Sequence, residues 1–301
     1  MEPVGGAGEY SPEYSPELFE IIDDYDSIKY FSSPRKSMTE RLPEFPYKVG
    51  VNMKDIQLTE EGKYSYTKRK DGEITIDFLK KNIGVLKDLT IIDGTGNVGG
   101  DTILFGLNFK QVHSIEIDEE NFKALKHNVS LYKLDNVHLH QGDTTKLLDK
   151  LINKYESDVV YFDPPWGGPE YKTKKELDLY LGKHRIDLFI KNDILSDKVS
   201  YKPKFIVLKL PFNYNWNRLK HLKDIESTYF LKIRNYRILI LKVKHSDKII
   251  EHFDKTKHSD RIFTKLMEEG DSFTLVKKKQ GKDLVLVQLK AKINSHIIKY
   301  L

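Results

Sequence analysis

The sequence predicts an α/β fold: a mostly parallel seven-stranded sheet that ends in an antiparallel hairpin, with an extension at each end. Three observations carry this. Short apolar runs alternate with amphipathic stretches of helical length, the rhythm of parallel strands and crossover helices. A glycine turn follows the first run at a strand-to-helix junction. The last two runs are separated only by a tight turn, so they pair antiparallel. The 301 residues suffice for one large α/β domain with extensions.

The elements follow in order. Residues 1–45 carry Gly5-Gly6 and a tandem Glu-Tyr-Ser-Pro at 9–12 and 13–16. This is the composition of a flexible acidic segment, with one short helix expected at 18–25. Residues 46–84 form an expected lid extension: a turn into an extended segment over 58–67, then a helix over 74–83. The methyl-rich run 89–92 opens the core (85–246) and leads into Asp93-Gly94-Thr95-Gly96-Asn97-Val98-Gly99-Gly100 and a helix to about Leu107. Strands at 112–118 and 137–140 follow, with a helix over 120–132 between them and another over 146–155 after them. Then come the strand 159–162, a helical stretch over 174–196, the strand 205–210, and a hairpin of 229–233 with 237–243. Residues 247–301 read as a basic extension: a helix near 260–269 and a second hairpin around Gln280-Gly281.

Composition narrows the classes. The chain is 39% hydrophobic and 32% charged, and no apolar run approaches the length of a membrane span. The N-terminus lacks a signal peptide's basic start and apolar core, so an intracellular protein of nucleus or cytoplasm is expected. Its lysine- and isoleucine-rich make-up also suits a viral gene of AT-rich composition. With no cysteine, disulfides, zinc–thiolate sites and thiol nucleophiles are excluded. Eight acidic residues in 1–30 face the single Lys29, whereas 272–301 hold seven lysines against Asp283. That asymmetry suits either nucleic acid at the tail or a solvated lysine-rich surface. No His/Asp cluster suggests a metal, and a monomer is expected.

The chemistry concentrates at Asp163-Pro164-Pro165-Trp166-Gly167-Gly168-Pro169-Glu170-Tyr171, which follows the buried-strand run Val159-Val160-Tyr161-Phe162. A carboxylate there sits at the carboxyl edge of the sheet, where open α/β folds bind ligands. The two prolines supply no N–H donors, and the following indole offers a face to a planar base. An exocyclic amine on a base is a poor nucleophile because its lone pair is delocalised. Asp163 and the Pro164 carbonyl, accepting its N–H bonds, would stabilise the positive charge that develops on attack. Glycines 94, 96 and 99 fit Gly-x-Gly-x-x-Gly, which leaves a dinucleotide site open. Glu116 lies about twenty residues on, where a ribose-binding acid belongs. Glu116, Asp143 and Asp163 thus end successive strands on one edge.

These features resemble a class I S-adenosylmethionine-dependent methyltransferase; the terminal hairpin is what a nicotinamide dehydrogenase would lack. More narrowly, the chain resembles the trimethylguanosine synthase family, the RNA cap guanine-N2 methyltransferases. The resemblance rests on Glu61-Gly62-Lys63-Tyr64-Ser65-Tyr66-Thr67, on Asp93 to Gly100 with Thr102, and above all on the Pro164 to Tyr171 stretch. It implies methyl transfer from S-adenosylmethionine to N2 of a 7-methylguanosine cap on RNA. It also implies that Asp93, Gly94, Thr95 and Gly96 line the cofactor's methionine end, that Glu116 bonds the ribose, and that Asp143 sits near the adenine. Trp166 would stack on the cationic base, with Tyr171, Asn213, Tyr64 and Ser65 beside the substrate. Two departures stand out. Many relatives carry Ser at the position of Asp163, and here the carboxylate resembles adenine-N6 methyltransferases instead. Leu210-Pro211-Phe212-Asn213 resembles a segment with Arg in place of Phe212, so Lys209, Arg218 or the basic tail would meet the cap phosphates. An adenine-N6 methyltransferase and a non-catalytic RNA-binding scaffold are the alternatives.

Overall fold

The parallel strands form where β-branched and aromatic residues run without polar interruption, because such strands are covered on both faces. In the computed structural model, which describes residues 19–21, 42–196, 199–219, 222–245, 273–280, 283–291 and 297–298, these are β2 (Thr90–Asp93), β3 (Gln111–Glu116), β4 (Val137–Gln141), β5 (Val159–Phe162) and β8 (Phe205–Pro211). An edge strand β1 (Phe19–Ile21), a small hairpin β6 (Tyr180–Leu181) and β7 (His184–Arg185), and the long hairpin β9 (Ile225–Ile233) and β10 (Tyr236–Val243) complete the strands among the described residues up to Lys244. The helices are α1 (Gly62–Ser65), α2 (Arg69–Ile83), α3 (Gly100–Asn108), α4 (Glu119–Leu131), α5 (Thr144–Tyr155) and α6 (Ile186–Phe189).

The main sheet has the order β1-β9-β10-β8-β5-β2-β3-β4. Strands β8, β5, β2, β3 and β4 are mutually parallel, β10 is antiparallel to both β8 and β9, and β1 adds to β9 in parallel. Leaving aside β1, this is the class I methyltransferase sheet. Its strand order reverses direction between β2 and β5, and a crevice opens beyond the carboxyl ends of strands at such a switch point. The glycine turn leaves β2 there, and the Asp163 loop leaves β5.

Two apolar layers cover the sheet. On one side Ile76, Phe78 and Leu79 of α2 join Phe105 of α3 against Ile91, Val159 and Val207. On the other, Leu148 and Ile152 of α5 and Ile186 and Phe189 of α6 pack on Ile92, Val160 and Ile206. Helix ends are set by side-chain caps: Asp118 Oδ1 accepts from Asn121 N at 2.8 Å, and Asp143 Oδ1 accepts from Thr145 N at 3.0 Å. Gly99 starts α3 at φ +98°, a left-handed conformation that suits glycine.

Four expectations need correction. Residues 58–67 are not extended: the Thr59 hydroxyl accepts the Gly62 N–H at 2.9 Å and turns the chain into α1. Residues 174–196 are not one helix, because Leu177, Leu179 and Leu181 are buried with a period of two and Gly182 (φ +57°) turns β6 into β7. Helix follows only from Ile186. Helix α2 begins at Arg69 rather than near Ile74, and its apolar face belongs to a core layer. Of the helix expected at 18–25, Phe19–Ile21 instead form β1.

A second unit spans His245–Leu301 and contains an antiparallel sheet of β11 (Phe273–Gln280), β12 (Asp283–Ala291) and β13 (Ile297–Ile298), the first two being the second hairpin. The helix expected near 260–269 and the Ser-Pro repeats lie outside the described residues. Among the described residues no helix is long and apolar enough to cross a membrane.

Candidate active site

Asp93 ends β2 fully buried and organises the turn from below. Its Oδ2 accepts from Thr102 Oγ1 at 2.6 Å and its Oδ1 from Thr95 N at 3.1 Å. Burial pushes its carboxyl up to about 7, against the opposing hydrogen bond from Thr102. Close packing requires glycine above it. A Cβ on Gly94 would lie 2.6 Å from Phe162, and one on Gly96 would lie 2.4 Å from Ser114 Oγ. Glu116, at the end of β3, receives Asn97 N on Oε2 at 2.6 Å and Asp118 N on Oε1 at 2.7 Å. Burial raises its pKa, although both backbone bonds oppose the rise. Asp143 caps α5; burial alone would raise its carboxyl, but bonds from Thr145 and Lys146 leave it below the usual range.

The Asp163 loop is tied to the same turn. Asp163 N donates to Thr95 Oγ1 at 2.7 Å, so Thr95 joins the two loops. The Asp163 side chain meets the neighbouring strand, where Lys209 Nζ donates to its Oδ2 at 2.6 Å. Burial raises the Asp163 pKa to about 6, with Lys209 holding it back and Asp101 pushing it further. Trp166 is half-buried, edge-to-face with Tyr171 at 5.1 Å and tilted against Tyr236 at 6.1 Å. Lys209 Nζ lies 5.8 Å over the indole. Asn213 braces this loop from the end of β8, its amide donating to the carbonyls of Tyr171 and Lys174 at 2.8 Å each.

Around these groups lies one cavity of about 1150 Å³, above the usual range for a single drug-sized ligand. Gly94, Thr95, Gly96, Glu116, Asp143, Asp163, Pro164, Trp166, Tyr171, Lys209, Tyr64 and Ser65 all line it. Of the sequence-derived site residues, Asp93 and Asn213 do not line it: Asp93 lies beneath the turn and Asn213 holds the loop. Tyr64 is 70% exposed, an aromatic ring offered to solvent. Its helix α1 docks closely, because a Cβ on Gly62 would lie 2.6 Å from Val98 Cγ1. Trp216 is elsewhere, edge-on to Tyr214 and under the Arg237 guanidinium at 5.2 Å, and Arg218 pairs with Asp178. The histidines pack on the sheet: His113 stacks on Tyr155 at 3.7 Å and on His138 at 4.9 Å, and burial depresses it to about 3.

Sequence reasoning missed Asp71, Asp101, Arg234 and Tyr236, which also line the cavity. Asp101 accepts from Thr67 Oγ1 at 2.8 Å and from the Tyr161 hydroxyl at 3.0 Å, and Arg234 approaches Asp71 at 3.4 Å. The one available signal was Asp101's place in the first turn of a helix that follows a glycine loop. The other three come from chain-distant elements with no local pattern.

A glycine-lined turn, a ribose-distance acid and a carboxylate beside an indole share one cavity at the switch point. Residues 89–269 match the RNA cap guanine-N2 methyltransferase family. The chain belongs to that family. That family is one of S-adenosylmethionine-dependent methyltransferases. It is 32% identical over 163 residues to the uncharacterised protein L320 of Acanthamoeba polyphaga mimivirus, covering 50% of this chain and 60% of that protein. It is 28% identical over 171 residues to the trimethylguanosine synthase of Saccharomyces cerevisiae, covering 56% and 52% respectively. With that of Schizosaccharomyces pombe it shares 32% over 133 residues, covering 42% and 54%. The chain thus spans between about half and three fifths of the length of these relatives.

Proposed function

We propose that this protein methylates the exocyclic N2 amine of a 7-methylguanosine RNA cap, giving 2,7-dimethylguanosine and, by a second round, 2,2,7-trimethylguanosine. The observation that carries the reading is the convergence of Asp163 and Trp166 with the glycine turn and Glu116 on one cavity.

The residues present fit S-adenosylmethionine. The backbone at Gly94 and Gly96 can come close to a ligand because neither has a side chain. Glu116 is held by two backbone N–H groups and retains acceptor capacity for ribose hydroxyls. Asp143, and Ile117 at 64% exposure, lie on the cavity wall where an adenine would rest. When bound, S-adenosylmethionine supplies an electrophilic methyl group. Asp163 and the Pro164 carbonyl accept the N–H bonds of the amine and so stabilise the charge that grows as the new nitrogen–carbon bond forms. The methylated nitrogen then gives up one proton to water.

The base stacks on the indole face turned from Lys209, with Tyr64 as an aromatic partner at the cavity mouth. A positive charge on the base adds roughly 1–2 kcal/mol to stacking on indole, a gain that neutral guanine or adenine forgoes. Lys209 is 5% exposed and engaged by Asp163, so Arg234, Lys172 and Lys68 on the cavity wall are better placed for the cap phosphates.

The test is to incubate the purified chain with methyl-labelled cofactor and 7-methyl-GTP, GTP, ATP or an adenine-containing oligonucleotide, and to identify the product. Label at N2 of 7-methyl-GTP alone is expected. Equal labelling of GTP, or labelling of adenine N6, would overturn the reading.

A further inference from the structure

The cavity floor holds a cation that cap binding leaves without a task. Lys209 lies on β8 one residue past the Phe162–Leu208 register pair, which sets it beside Asp163, the first residue after β5. Its ammonium donates to Asp163 Oδ2 at 2.6 Å and to Thr67 Oγ1 at 2.8 Å, and Thr67 passes its own hydrogen to Asp101 Oδ2 at 2.8 Å. The Tyr236 ring lies 5.3 Å from the same ammonium and the indole of Trp166 5.8 Å. A lysine buried this far is fixed by partners on several elements, whereas a phosphate ligand must reach solvent.

We propose that Lys209 is a positioning residue for the transfer: it holds Oδ2 of Asp163, keeps that side chain ionised in a buried setting, and thereby presents Oδ1 to the substrate amine. This rests on Asp163 being the group that meets the amine. An isolated carboxylate at this depth would take up a proton, and a carboxylic acid competes as a donor with the N–H bonds it should accept. Lys209 counters that tendency, and Asp163 in turn holds the ammonium charged: burial would lower the lysine pKa, yet Asp163 and Asp101 raise it overall. The other ionisable groups around the pair do not replace Lys209. Asp101 on α3 is acidic and favours protonation of Asp163, whereas Asp71 on α2 acts on Lys209 and pairs with Arg234 at 3.4 Å at the rim. Tyr161 on β5 and Tyr236 on β10 are pushed up by burial and stay neutral. Asp93 on β2 titrates near 7 but is bonded to Thr102.

The experiment compares wild type with Lys209→Met and Lys209→Arg. The Asp163 carboxyl is titrated by NMR after labelling aspartate side-chain carbons, with Asp163→Asn supplying the assignment, and kcat is followed against pH with 7-methyl-GTP. Circular dichroism and the Asp163→Asn/Lys209→Met double variant, which leaves no lone charge, check folding. Loss of the cation should raise the Asp163 titration by roughly 1–3 units in Lys209→Met. The acid limb of kcat should move with it, activity should recover at alkaline pH, and Lys209→Arg should restore the wild-type profile. An unmoved Asp163 titration would overturn the proposal, as would a loss of kcat that is uniform in pH and not rescued by arginine. The titration needs no substrate, so a wild type that ignores 7-methyl-GTP refutes the cap reading and leaves this one still decided.

Discussion

Asp93 offers the most calculable test, because two roles compete for it. As a ligand of the cofactor's methionine end it would be needed for binding; as a buried brace beneath the glycine turn it would act on stability. Its carboxyl moves from 3.8 to about 7 on folding, largely through burial. The folded protein therefore binds this proton more tightly than the unfolded chain between those two values. Stability must fall as pH rises through that window and level off above it, by about 4 kcal/mol in all and roughly 3 kcal/mol between pH 5 and pH 9. Asp93→Asn cannot titrate, yet its amide oxygen can still accept from Thr102. Urea unfolding of both proteins at pH 5, 7 and 9 should show the variant gaining on wild type by that amount as pH rises. The contribution of Asp163, which titrates near 6, is common to both and cancels. Calorimetric binding of S-adenosylhomocysteine should stay within about threefold of wild type at every pH, under half a decade of affinity. A stability gap that ignores pH, or a large loss of cofactor affinity, would refute the bracing role.

Three further outcomes follow from the same geometry. Trp166→Ala should weaken 7-methyl-GTP binding by roughly 5- to 150-fold, the worth of one stacked base, with S-adenosylhomocysteine affinity nearly unchanged in calorimetry. Equal losses for GTP and 7-methyl-GTP would remove the cation from the explanation. Asp163→Asn should lower kcat by about 10²–10³-fold while KM for 7-methyl-GTP changes little, the pattern of an interaction realised in the transition state. Gly96→Ala places a methyl 2.4 Å from Ser114 Oγ and 3.0 Å from Leu125 Cδ2, and should cost roughly 1–3 kcal/mol in urea unfolding.

The core was legible because its signals are local. Val159-Val160-Tyr161-Phe162 and Ile91-Ile92 read as strands from apolar continuity, and their parallel pairing follows from the helical spacing between them. The failures share one physical cause. The segment 58–67 turns on a single hydroxyl capturing one N–H, and 174–196 keeps enough apolar residues to suit a helix until the burial of alternate leucines decides otherwise. A short element is determined by what it packs against, and a window of sequence does not contain its neighbour.

The same divide runs through the site. Glu116, Asp143 and Asp163 could be placed because each ends a recognisable strand run, so position along the chain fixed position on the sheet edge. What those carboxylates can do was not readable, since charge state depends on residues tens or hundreds of positions away. Asp163 has its partner on β8, that partner has a second on the segment after α1, and the next acid stands at the start of α3. Lys209 looked like a free cation near a phosphate because a strand pattern shows which face a side chain takes and not what it meets there. The consequence is chemical as well as structural. On the proposed reading the Asp163 carboxylate accepts from a base amine, and at this depth its ionised form is favoured by a cation that only the tertiary fold brings within reach.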